Sequence, residues 1–198
     1  MEQPDYRGAI AYAFTRLTNE LPSKLTYHNL WHTQEEVIPT CLQLAKAMGV
    51  LEADRQLLQV AAAFHDIGFI EDRANHELIG ARIVAQTLPQ FGFSHLQTET
   101  IMGMLLATRL PQSPRTLLEA ILADADLDVL GRQDFMARNA ALRQERANYG
   151  HPVPLQTWYA EQVVFMKAHS YFTAVAQTQR HRLKQHNISL LEQKVDSC

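Results

Sequence analysis

An all-α fold follows from three observations. Apolar residues recur at helical spacing along most of the 198 residues. Alternating β-branched runs closed by Asn-Gly or Asp-Gly, the signals of hairpins, are absent from the sequence. Helix-breaking residues fall largely at the ends of the periodic runs, as at Pro22, Gly49, Pro89 and Gly150-His151-Pro152-Val153-Pro154.

Taken in order, the pattern predicts a first helix over about Tyr6 to Asn19, burying Ile10, Phe14 and Leu17. A second runs from about Leu30 to Met48, with Thr33 and Glu36 spaced as a capping box, Pro39 as an internal kink or break, and Gly49 as the stop. The third, Glu52 to His65, carries Ala61-Ala62-Ala63, whose small side chains let a neighbour approach closely, so it is expected at the centre. It ends at His65-Asp66-Ile67-Gly68, where Gly68 is expected to take a left-handed cap. Further helices follow over His76 to Leu88, Gln97 to Ala107, and from near Arg115 towards Asp126. Two more are predicted over Gln133 to Tyr149 and Leu155 to Thr178, then a polar tail in which Arg180-His181-Arg182-Leu183-Lys184 is a solvated face. No repeat or low-complexity segment divides the chain, so one domain is expected over residues 1–198.

The composition is that of an ordinary globular protein, 46% hydrophobic and 20% charged. A net charge of -3 provides no broad basic field, which disfavours nucleic acid and anionic membrane as partners. Cys41 and Cys198 form no disulfide framework and no CxxC pair. With no signal-peptide core in Met1-Glu2-Gln3-Pro4-Asp5 and no spanning apolar run, a cytoplasmic protein is expected. A homodimer stays open.

Three clusters carry chemistry. His28 and His32, four apart in Tyr27-His28-Asn29-Leu30-Trp31-His32-Thr33, would share a face if both were helical, although alone they also fit a pair of surface histidines. His65-Asp66 ends an apolar helix, where an ionised Asp66 is costly to bury without a positive partner. A divalent cation would supply that charge; a helix-cap role for His65 is the alternative. Asp124, Asp126 and Asp128 directly follow the apolar stretch Leu117-Leu118-Glu119-Ala120-Ile121-Leu122, so at least one is a candidate oxygen ligand, with a solvated face a fair reading of Asp126 and Asp128.

The order His32, His65-Asp66, Asp124 resembles the His…His-Asp…Asp signature of the HD superfamily of metal-dependent phosphohydrolases. Tyr27 to His32 is similar to the Tyr-His-Asn-x-x-His motif of cyclic-nucleotide phosphodiesterases, Ala62 to Gly68 resembles the central motif, and Asp124 to Gly131 resembles the last motif of a bacterial predicted metal-dependent HD phosphohydrolase group. The resemblance implies an HD-domain helical bundle of about seven to nine helices, with core motifs over 26–131 and C-terminal helices over 132–191. It implies a divalent cation (Mn, Fe, Mg, Co, Ni or Zn) held by His32, His65, Asp66 and Asp124, with Asp66 also in the catalytic centre and His28 as general acid. The implied substrate is a phosphoester or phosphoanhydride of a nucleotide or other small phosphorylated metabolite.

His76, in Asn75-His76-Glu77-Leu78-Ile79-Gly80-Ala81, resembles a second-metal ligand of binuclear relatives; a capped helix start is the alternative. Phe69 stands where such relatives carry lysine, and Thr108-Arg109 where they carry a His-His pair, which argues against a full two-metal centre. Arg109, Arg138 and Arg143 are candidate phosphate contacts or solvated helix positions. His95, His151, His169, His181 and His186 read as surface or packing residues. A non-catalytic nucleotide-sensing module and a mixed-valence di-iron oxygenase are the competing functions.

Overall fold

The computed structural model describes residues 3–197, so Met1, Glu2 and Cys198 lie outside it. Among the described residues are nine α-helices and no strand. They are α1 (Tyr6–Glu20), α2 (Ile38–Ala47), α3 (Glu52–Phe64), α4 (His76–Thr87), α5 (His95–Ala107), α6 (Leu117–Asp126), α7 (Phe135–Asn148), α8 (Leu155–Ala168) and α9 (Ala174–Ser197). No described helix is long and apolar enough to cross a membrane. The chain packs as two compact units, residues 3–22 with 28–126 and residues 23–27 with 127–197.

In the first unit α3 is the central element, packed against α1, α2, α5 and α6. Leu58, Val60, Ala61, Ala62, Ala63 and Phe64 are all inaccessible, and the helices α5 and α6 packed against them bring inaccessible Ile101, Met104, Leu105, Ile121 and Leu122. Each large side chain so buried contributes about 1.5–3 kcal/mol. On α1 the buried line is Ala9, Ala13 and Leu17, whereas Ile10 and Phe14 are only half-buried. The small residues allow the close approach and the larger ones flank it. Several ends follow local chemistry. Ser94 and Gln97 make a reciprocal capping box that starts α5 at His95, two residues before the predicted start. Thr116 and Glu119 exchange the same pair of bonds ahead of Leu117.

Gly49 ends α2 in the left-handed region, as expected, with φ 70°. Gly68 does not: the described positive-φ glycines are Gly49, Gly92 and Gly150. Its role is proximity. A Cβ on Gly68 would lie 1.9 Å from the His76 carbonyl oxygen, so only glycine lets the turn after α3 touch the first residue of α4.

The second unit has its own core of Val129, Leu130, Phe135, Met166, Ile188 and Leu191. The predicted Leu155–Thr178 helix is two helices. His169 turns extended (ψ 141°) after α8, and Thr173 accepts the backbone N–H of Ala176 to start α9. Lys184 donates to the His169 carbonyl at the end of α8. The expected polar tail is therefore helical and packed: Lys184, Asn187, Ile188 and Leu191 are buried, and Arg180 forks onto the buried Asp128 carboxylate. Gly131 approaches Arg180 so closely that a Cβ would meet its Cβ at 2.5 Å and its backbone at 2.8–3.0 Å.

Gly68→Ala is expected to destabilise the protein by about 3 kcal/mol, because the clash is with backbone that cannot step aside. Gly49→Ala, with open space around it, should cost only about 1 kcal/mol of left-handed strain. Urea denaturation of both variants checks the contrast; equal costs would refute the close-approach role of Gly68.

Candidate metal centre

Three segments of the first unit converge on one buried cluster. The first begins at Asn29, whose Oδ1 accepts the backbone N–H of His32 (3.2 Å), the geometry of a helix N-cap. From His32 to Val37 the helix widens into a π-turn, with the Ile38 N–H reaching the Thr33 carbonyl. Pro39 supplies the reason: in an unbroken α-helix its ring would press on the carbonyl four residues back. The predicted kink is thus absorbed one turn earlier, and Pro39 becomes the second residue of α2. The capping box expected from Thr33 and Glu36 does not form. Glu36 turns instead to the ring of His32, its Oε2 2.8 Å from Nδ1.

The second segment is the end of α3, where His65 Nδ1 lies 2.7 Å from the Ala62 carbonyl and Asp66 leaves the helix (φ -100°, ψ 4°). The third is the end of α6. His32, His65 and Asp66 each place a ligand atom within 4.8 Å of the others. Asp126 Oδ1 adds itself at 3.4 Å from His32 Nε2 and 3.7 Å from His65 Nε2.

Both imidazoles are set up alike. Nδ1–H is directed at an acceptor, Glu36 for one and a carbonyl for the other, so Nε2 presents its lone pair to the cluster. His65 Nε2 and Asp66 Oδ2 lie 3.2 Å apart and fully buried, and neither has a hydrogen bond. Unsatisfied ligand atoms facing each other in the interior fit a cation between them. So does the charge: the carboxylates of Glu36, Asp66 and Asp126 surround two rings. Burial lowers the His32 pKa, yet hydrogen bonds with Asp126 and Glu36 and the charge of Asp66 outweigh it and raise it to about 9. Burial likewise opposes, and Asp66 dominates, an upward shift of His65. Asp66 is desolvated, which favours its neutral form, but His65 pulls it below the ordinary carboxylate value. The surrounding carboxylates thus favour positive charge at this place.

Beside this cluster Phe69 stacks on His28 (centroids 4.6 Å, 20°) and on His76 (4.0 Å, 24°). His28 is half-buried and edge-on to His32 at 6.1 Å. His76 directs Nδ1 at the Arg73 carbonyl (3.0 Å), while Nε2 lies 3.9 Å from Asp66 Oδ1 and 3.5 Å from Glu77 Oε1. Thr108 is buried on the Leu105 carbonyl and Arg109 is exposed. In the second unit Arg138 stacks over Tyr27 (4.4 Å) and donates to its carbonyl, and Arg143 gives two bonds to the Val153 carbonyl.

Asp124, the acid carried over from the family motif, is completely buried near the end of α6; the three-residue cluster includes neither it nor Asp126, whose Oδ1 approaches both rings. Neither Asp126 nor Asp128 is a solvated surface acid: Asp126 is 20% exposed and Asp128 is held by Arg180. A signal that Asp126 is drawn towards the cluster was available. It is the last residue of α6, where the helix dipole repels a carboxylate unless a cation answers it. Glu36 was missed because four-residue spacing from His32 also suits a surface pair.

The raised His32 pKa sets a pH dependence. Its contribution to stability is fully present below pH 6.5 and is lost as pH rises through about 9, by about 3 kcal/mol. Chelator-treated protein should show a falling urea midpoint across that window; a flat profile would contradict the pairing.

Residues 35–128 match the family model of the HD domain, a span that includes His65, Asp66, Asp124 and Asp126 and begins just after His32. The fold is similar to the crystal structure of a predicted HD superfamily hydrolase from an uncultured Thermotogales bacterium. The TM-score is 0.65 at 17% identity, covering 98% of this chain and 93% of that one. None of the curated proteins matches the sequence. Over its matched span, and in its helical fold, this chain is similar to HD-domain proteins.

Proposed function

We propose that the protein is a metal-dependent phosphohydrolase, cleaving a phosphoester or phosphoanhydride of a nucleotide or another small phosphorylated metabolite. The carrying observation is the buried, unbonded pair of His65 Nε2 and Asp66 Oδ2. The name of the Thermotogales neighbour lends the hydrolytic class, and the sequence motifs lend the phosphoryl substrate.

The proposed ligands are His32, His65, Asp66 and an acid from the end of α6. Asp126 has the stronger support, from its approach to both imidazoles; Asp124 is the alternative. Four ligands leave positions for water and substrate on a five- or six-coordinate ion. Bound there, a divalent cation would acidify water and offset charge on a phosphoryl oxygen. The Glu36 carboxylate and the Ala62 carbonyl keep the two rings in the ligating orientation. His28, braced flat against Phe69 and half open to solvent, would pass a proton to the departing oxygen. Exposed Arg109 is free to meet an incoming phosphate from solvent, whereas Arg138 and Arg143 already serve carbonyls. A second cation at His76 is supported by its Nε2 facing Asp66 and Glu77.

The test is phosphate or nucleoside release from a panel of phosphorylated metabolites by protein loaded with Mn, Fe, Co or Mg. Asp66→Asn should remove turnover. His28→Gln should lower kcat by about 10²–10⁴-fold and leave cation binding intact. Asp126→Asn should weaken the cation more than Asp124→Asn does. A loaded protein that hydrolyses no phosphorylated compound sinks the proposal, and one cation per chain removes the second site.

A further inference from the structure

We infer that Glu36 is a positioning residue that sets the affinity of the cation site through His32, an inference that rests on the cation reading above. The two histidines of the cluster are backed differently. His65 Nδ1 faces a neutral carbonyl, that of Ala62, whereas His32 Nδ1 faces a carboxylate at 2.8 Å. A charged acceptor makes the opposite nitrogen a stronger donor and locks the ring plane more firmly than a carbonyl does. His32 is therefore the stronger of the two nitrogen ligands.

The local fold supports this role. Glu36 is 4% exposed, and a carboxylate in the interior costs several kcal/mol unless something answers its charge. It sits inside the π-turn His32–Val37, whose wider circuit changes which residues lie over one another and keeps Glu36 directed at the ring of His32. A π-turn is a poor way to build a helix for its own sake, and such turns gather at functional sites. Pro39 enforces the widening from one side, and the Asn29 cap anchors the His32 backbone from the other. The ring is thus held at its backbone, at its plane and at its tautomer.

The experiment titrates full-length, metal-free protein with Co(II) in competition with a chromophoric chelator, for wild type, Glu36→Gln and Glu36→Ala. Glu36→Gln keeps the volume and one acceptor but loses the charge; its Kd should rise about tenfold. The Kd of Glu36→Ala should rise towards a hundredfold. The visible Co(II) absorption should shift in both, as the His32 ligand field weakens. The melting temperature of the metal-free forms separates a merely structural Glu36, which would lower it without moving the Kd of Glu36→Gln. Tight wild-type binding with an unchanged Kd in Glu36→Gln overturns this inference alone. Failure of wild type to bind any divalent cation overturns the cation reading and this inference with it. If Glu36→Ala does not fold, Glu36→Gln decides.

Discussion

Inside the first unit three carboxylates, from Glu36, Asp66 and Asp126, lie against two imidazoles in a space almost closed to water. Moving such charges out of water costs several kcal/mol each, and hydrophobic packing cannot offset it locally. The positive charge must come from somewhere. The demand shows in the upward pKa shifts of His32 and His65; on our proposal, a divalent cation meets it. Much of the surrounding architecture reads as a means of holding that charge arrangement in place.

The alanines of α3 serve this end. They bring α3 close to its neighbours, which brings the end of α3 and the end of α6 to the same place. Gly68 then allows the chain to fold back so that the start of α4 touches the turn after Asp66. This close return sets His76 and His28 both against Phe69, with their own ring centroids 6.5 Å apart. The lysine position of binuclear relatives is filled here by a ring that braces two imidazoles rather than by a charge. Phe69 is buried, so its difference from those relatives has a structural role as well as a subtractive one.

The helical class, and most helix limits, could be read from apolar periodicity and from punctuation such as Pro22, Gly49 and the Gly150–Pro154 break. The division near His169 could not, because no proline or glycine marks it; it depends on Lys184 and on the packing of Ile188 and Leu191, which are tertiary facts. Three members of the cluster were visible through motif order. The approach of Asp126 to both rings was not, since it turns on how far α6 has rotated by its last residue. The Thr33–Glu36 spacing misled for a similar reason: a capping box assumes a helix that starts at Thr33, whereas Asn29 starts it earlier.

The cluster also spans a long stretch of chain. His32 and Asp126 are 94 positions apart, and His65-Asp66 stands between them. Nδ1 of each histidine is satisfied within its own helix, by a residue three or four positions away, so each ring is oriented as soon as its turn forms. An ion arriving afterwards would act as a staple, cinching three remote segments whose side chains are already turned to receive it. Closing loops of that length removes conformational freedom that grows only slowly with further length. Surface insertions in the loops between the stapled segments should then be tolerated far better than a single residue added within His32–Val37.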